Sequence, residues 1–222
     1  MEIVRIIKAV EELIFELSSW LLCYPKSLAK ALTRPGWAVE YVKGEFSKDK
    51  SGAFDEYMSP ALFYAFSVAL VVLPHIEDVQ RTYAHLLPES ARHLLLASPE
   101  KFVLTAAILF GACPLGFAWV ANAAARTKIS RSALRVPLHA QFLIVAPFVV
   151  LLSVAIHASD LLGRWPITAA AAWFCAAEWL FFQRFLGTDR FRSVLFVLAG
   201  FGAWYFVNVV WLVLLGLPFL PA

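Results

Sequence analysis

Charged and amide groups are costly inside apolar stretches, and four of the polar side chains inside those of this sequence fall at a similar depth. Glu178 lies six residues before an arginine that flanks its stretch, and Gln141 lies six residues after one. At 1.5 Å per helical residue, both would lie about 9 Å beyond those arginines. His139 and Asn122 are each four residues from a flanking arginine, about 6 Å in. We expect the four to form one polar cluster with Glu178 as its ionisable centre.

Such a cluster has two interpretations. In the functional one, it is a pocket for a proton, a cation or a lipid headgroup, because ionisable groups at membrane depth are usually functional. In the structural one, Glu178 is protonated or paired, and hydrogen bonds between helices fix the bundle. We favour the structural interpretation, since His139 is close enough to the interface to act as an anchor.

Five long apolar stretches must position these residues. They cover about residues 60–76, 102–124, 136–158, 165–185 and 193–217. Apolar residues make up 61% of the 222 residues and charged residues 16%. Soluble domains average about 45–50% and about 25%. We therefore predict an all-α polytopic transmembrane helix bundle of five spans, formed by residues 58–222.

Basic residues are sorted between the links of this bundle. With a cytoplasmic N-terminus, 15 of the 19 Lys and Arg residues fall inside and four outside. Eight of the inside residues precede the first span. This positive-inside asymmetry predicts a multi-pass protein of the cell inner membrane with its C-terminus outside. The charge is expected to meet anionic lipid and not nucleic acid.

Residues 1–57 are predicted to be a cytoplasmic segment of amphipathic helices. The first helix runs from Met1 to Tyr24 and is expected to stop at Pro25. A short second helix follows, which Pro35-Gly36 ends. It carries three basic residues on one face, predicted to lie at the membrane surface: Lys26, Lys30 and Arg34. The first helix either lies on lipid or packs against protein; its acidic middle favours protein, including a cytoplasmic partner.

Small residues line the last two stretches. An alanine run covers residues 169–172, and Gly200, Gly202 and Ala203 follow in the final stretch. Small residues let membrane helices approach closely. We expect tight packing of the fourth span on the fifth, with a homo-oligomer as the alternative.

Motifs of the common enzyme families are absent from the sequence: there is no GxSxG, HExxH, Walker loop or GxGxxG. The sequence therefore predicts no catalysis and no cofactor. One group of residues has metal-ligand types: His75, Glu77, Asp78, His85 and His93. Its spacing is loose, and we expect a solvated loop and no metal site.

The order of parts resembles the Yip1-like family of five-span membrane proteins, in which a cytoplasmic segment precedes five crossings and almost no tail. Asp55-Glu56-Tyr57-Met58-Ser59-Pro60 is similar to the family's acidic-aromatic-Pro motif before the first span. Pro25-Lys26 and Arg34-Pro35-Gly36 are similar to upstream elements of bacterial members. The resemblance implies a multispan protein without enzymatic activity.

We therefore predict a non-catalytic integral inner-membrane protein that acts as a scaffold or a partner-binding membrane subunit. Two alternatives remain open. One is an oligomeric pore or ion-conducting effector, such as the membrane component of a bacterial defence or toxin system, with Glu178 near the conduction path. The other is a protein that handles lipid headgroups in the polar cluster.

Overall fold

The computed structural model of the protein describes residues 2–48, 54–75 and 99–214, and these residues form seven α-helices and no strand. The helices are α1 (Glu2–Thr33), α2 (Trp37–Ser47), α3 (Pro60–Val72), α4 (Pro99–Ala124), α5 (Arg131–Leu162), α6 (Trp165–Leu186) and α7 (Arg190–Leu214). A short 3-10 turn, Leu73–His75, follows α3. The predicted all-α fold is confirmed.

Helices α3 to α7 occupy the five apolar stretches. Among the described residues, α5 and the part of α7 from Arg190 to Val210 are long and apolar enough to cross a membrane. The 13 residues of α3 span about 20 Å. That is less than the hydrocarbon core of about 30 Å. The α-helix ends before the predicted limit of 76 because Pro74 has no N–H group with which to continue it.

The predicted stop at Pro25 is wrong, because α1 continues through it to Thr33. Proline removes one helical hydrogen bond, but neighbouring contacts hold this turn in place. The Ser27 hydroxyl donates to the Cys23 carbonyl at 2.8 Å and accepts from the Met58 backbone N–H at 3.0 Å. Tyr24 and Ser27 are both buried. The two helices predicted on either side of Pro25 are therefore one helix.

Residues 20–48 and 54–58, here called the amino-terminal segment, pack against three helices of the bundle. Tyr24 hydrogen bonds through its hydroxyl to Ser67 of α3 at 3.1 Å. Helix α2 buries Val39 and Val42 and lies against α5 and α6. The segment is thus folded onto the bundle.

Helices α4 and α7 approach each other closely at two glycines. A Cβ added at Gly116 of α4 would lie 2.9 Å from the backbone nitrogen of Trp204. A Cβ at Gly200 of α7 would lie 2.3 Å from the ring of Phe117. Gly200 of α7 therefore faces α4, and α7 also packs against α6, the neighbour predicted from the small residues. The approach of α7 to α4 was not predicted, because the apolar pattern of a single helix does not encode its neighbours.

Candidate functional site

Glu178 and Gln141 meet in the interior of the bundle. The Gln141 side chain donates from Nε2 to Glu178 Oε2 at 2.9 Å, which links α5 to α6. Both side chains are 0% exposed. The second oxygen of each, Glu178 Oε1 and Gln141 Oε1, is buried and has no hydrogen-bond partner among the described residues. The structure therefore brings together two of the four predicted cluster residues.

The sequence places both residues on the buried faces of their helices. Ala140 and Ile144 flank Gln141 on the inward face of α5, and both are 0% exposed. Glu178 lies beside Ala177 and one turn before Phe182, which are likewise fully buried. At 3.6 residues per turn, these positions form one inward stripe on each helix.

Two further residues near this pair were not singled out from the sequence. Cys113 of α4 is buried and lies within electrostatic range of Glu178, and Tyr64 of α3 lies within electrostatic range of Cys113. The Tyr64 ring stacks on Phe142 at 5.0 Å, beside Gln141. Its hydroxyl is buried without a partner in the described part of the chain. The sequence signal available for Tyr64 was a tyrosine one helical turn after the start of an apolar stretch.

Asn122 makes its contacts elsewhere. Its Oδ1 accepts from the Thr127 hydroxyl at 2.6 Å, and its Nδ2 donates to the Thr127 carbonyl at 3.3 Å. Both bonds close the link after α4, where Arg126 adopts a positive φ of 55°. Asn122 therefore holds the end of a helix in place.

His139 is likewise engaged outside the Glu178 pair. Its Nδ1 lies 2.7 Å from the Arg135 carbonyl. Its ring packs edge-on to Phe46 at 5.0 Å and stacks with Phe54 at 6.4 Å. This histidine joins α5 to the amino-terminal segment.

The predicted basic face is partly covered by aromatic rings. Lys26 lies over Tyr57 at 4.5 Å from its centroid and also bonds to the Glu56 carbonyl at 3.1 Å. Lys30 lies over Trp37 at 5.8 Å. Cation–π contacts of this kind contribute about 0.5–1 kcal/mol at exposed sites. Arg34 and Lys26 are both exposed, whereas Lys30 is half-buried.

Glu45 is a buried carboxylate that sequence reasoning did not select. It is 3% exposed, and it accepts from Lys48 Nζ at 2.5 Å and from the Phe54 backbone N–H at 2.6 Å. Burial acts to raise the pKa of Glu45, but the hydrogen bonds from Lys48 and Phe54 outweigh it and lower that pKa below its ordinary value. A lysine three residues after a glutamate was the one available signal.

Two side chains of helix α6 form hydrogen bonds with the amino-terminal segment. Arg184 Nη1 donates to Glu40 Oε1 at 2.5 Å and to the Gly36 carbonyl at 3.3 Å. The Trp173 indole donates to the Leu32 carbonyl at 3.0 Å, at the end of α1. These bonds connect residues more than a hundred positions apart, so the segment is fixed by tertiary contacts.

No group of three His, Cys, Asp or Glu side chains able to hold a metal occurs within residues 2–48, 54–75 and 99–214. The predicted histidine-rich loop falls largely at residues 77–93, outside the described residues, as does the predicted outer C-terminus at residues 215–222. No family model, curated protein or solved structure matches this chain.

Proposed function

We propose that the protein is a five-span integral protein of a bacterial inner membrane, which acts without catalysis as a scaffold or partner-binding subunit. The apolar character of α5 and α7 supports the membrane location. The charges of the helix links support the orientation. Arg164 is the basic residue in the turn between α5 and α6, whereas four basic residues lie in the link after α4 and the first turns of α5, at positions 126–135.

The observation that carries the proposal is the fixed position of the amino-terminal segment. Arg184, at the basic end of α6, bonds to α2. Arg135, at the basic end of α5, lies over the Phe46 ring at 4.1 Å. These two contacts lie at the end of the bundle that the charges predict to be cytoplasmic, and the Trp173–Leu32 bond extends the segment along α6 toward its middle. The segment also carries exposed charged residues such as Arg34 and Glu40, and such a surface suits a partner-binding subunit.

The pore alternative receives less support from the position of Glu178. A residue that lines a pore between subunits must reach the surface of each subunit. Glu178 is 0% exposed within a single chain. A conduction path past this residue would have to run between α5 and α6, which its bond to Gln141 holds together.

The Yip1-like resemblance stays a prediction. It agrees with a helical chain in which a folded segment precedes the apolar helices. The motif residues Tyr57 and Met58 are buried within the amino-terminal segment, where Tyr57 packs on Trp37 and the Met58 N–H donates to Ser27.

Single-cysteine labelling tests the orientation. In a background with Cys23, Cys113 and Cys175 replaced, we expect Arg164→Cys to react with a membrane-impermeant maleimide in intact spheroplasts. Arg34→Cys and Lys128→Cys should react only after permeabilisation. Labelling of Arg34→Cys and Arg164→Cys from the same side would overturn the arrangement.

The scaffold role is tested at the same two sites. A photo-crosslinking amino acid at position 34 should form discrete protein adducts in cells, whereas the same group at position 164 should form mainly lipid adducts. An equal adduct pattern at both positions would contradict a dedicated cytoplasmic binding surface.

A further inference from the structure

In the Glu178–Gln141 pair, two of the four polar side-chain atoms have no hydrogen-bond partner among the described residues. One hydrogen bond joins Gln141 Nε2 to Glu178 Oε2 at 2.9 Å. The remaining oxygen of each side chain is buried with no partner among the described residues. Buried polar atoms are almost always hydrogen-bonded, so two orphans on directly bonded side chains require an explanation.

Protonation of Glu178 supplies that explanation. An ionised carboxylate and an amide oxygen are both acceptors, so Glu178 Oε1 and Gln141 Oε1 cannot satisfy each other. One proton on Glu178 Oε1 turns that atom into a donor. Its O–H group can then bond to Gln141 Oε1 while the amide N–H keeps its bond to Oε2. A single proton thus satisfies both orphan atoms and closes a ring of two hydrogen bonds.

The surroundings also favour a neutral acid. Among the described residues, the titratable groups within electrostatic range of Glu178 are the thiols of Cys113 on α4 and Cys175 on α6, and Tyr64 on α3 lies near Cys113. None of them is cationic. In the described part of the chain, no Lys, Arg or His forms an ion pair with Glu178. An ionised carboxylate here would be a buried charge without a counter-charge, which is strongly unfavourable.

A metal cation fits this pair less well than a proton. Hard cations such as calcium and magnesium take at least six oxygen ligands. The pair offers one free carboxyl oxygen and one free amide oxygen. A proton needs only those two.

We infer that Glu178 and Gln141 form a buried acid–amide pair that holds one proton at neutral pH and joins α5 to α6 through two hydrogen bonds. The proton comes from water and adds to Glu178 Oε1. When it leaves, the O–H bond breaks, the proton returns to water, and both oxygens are again acceptors without a partner. The pair is therefore a proton-binding site whose occupancy controls the contact between two helices.

Infrared spectroscopy of the full-length protein in lipid tests this directly. At neutral pH, the wild type should show the C=O stretch of a protonated carboxylic acid, shifted by exchange into D2O. The band should vanish in Glu178→Gln and remain in the matched control Glu45→Gln. A wild type without the band, or a Glu178→Gln variant that retains it, would overturn the inference.

Thermal unfolding distinguishes a stabilising acid–amide ring from a requirement for an ionised carboxylate at position 178. Glu178→Gln can form the equivalent amide–amide ring, so its unfolding temperature should stay close to that of the wild type. Gln141→Leu leaves the acid without partners and should unfold at a clearly lower temperature. Equal destabilisation of both variants would count against the ring. If Glu178→Gln does not fold, the carboxylic acid band of the wild type still tests whether the acid is protonated. Glu45→Gln and Gln141→Leu then serve as the variants for comparison.

Discussion

Glu45 and Glu178 are both buried glutamates, but the regions around them are built differently. Glu45, in the amino-terminal segment, is 3% exposed and accepts from an ammonium and a backbone N–H. Glu178, in the bundle, is 0% exposed and accepts from the neutral amide of Gln141. The first environment stabilises an ionised carboxylate, and the second offers no positive charge. Burial alone therefore does not determine the state of a carboxyl group; its partners do.

The same difference extends to the surrounding packing. The amino-terminal segment contains ion pairs and cations over aromatic rings, such as Arg184 with Glu40 and Lys26 with Tyr57. The bundle interior instead packs phenylalanine rings and glycines, as where Phe148 stacks on Phe174 at 4.1 Å. We expect the bundle to be sensitive to volume changes and the amino-terminal segment to charge changes.

The largest effect is expected where α4 meets α7. Gly116→Val places side-chain atoms against the Trp204 backbone, since a Cβ there would lie only 2.9 Å from its nitrogen. Because backbone cannot move aside as a side chain can, the free energy of unfolding should fall by about 3 kcal/mol. Detergent or thermal unfolding of the purified protein measures this.

Gly111→Val is the matched control on the same helix. A Cβ at Gly111 meets nothing within 4 Å. Valine has a better helix propensity than glycine, so the free energy of unfolding should change by less than about 1 kcal/mol. Equal losses in the two variants would mean that α4 and α7 do not approach closely at Gly116.

A smaller effect is expected for charge removal in the amino-terminal segment. Glu45→Gln weakens the bond from the Phe54 N–H and should lower the free energy of unfolding by about 1.5–3 kcal/mol, as for bonds to charged groups. Glu40→Gln is the control, because Glu40 also pairs with a basic residue but its side chain is 67% exposed. Such exposed pairs contribute about 0–1 kcal/mol.

The Glu45 contribution should also depend on pH. Its folded-state pKa lies below the ordinary value of 4.5. The stabilisation is therefore fully present above that value and is lost as the pH falls through the lowered pKa. The stability difference between wild type and Glu45→Gln should shrink in acid. A difference that is unchanged between neutral pH and pH values below the folded pKa would contradict a stabilising ionised Glu45.

The apolar helices could be predicted from the sequence because their pattern is local, and one polar contact because its two residues have equal depth. Equal offsets of Gln141 and Glu178 from flanking arginines placed them at the same depth, and the structure joins them. Neighbour choice could not be predicted. The aromatic cover over Lys26 comes from Tyr57, 31 positions along the chain. The continuation of α1 through Pro25 depends on the Met58 bond to Ser27, which no local pattern encodes.

One spectrum tests whether Glu45 and Glu178 differ in protonation at neutral pH. Carboxyl carbon NMR of the protein labelled with 13C-glutamate, assigned with Glu45→Gln and Glu178→Gln, reports both groups together at neutral pH. We predict a carboxylate shift for Glu45 and a carboxylic acid shift for Glu178. Two carboxylate shifts would contradict the account.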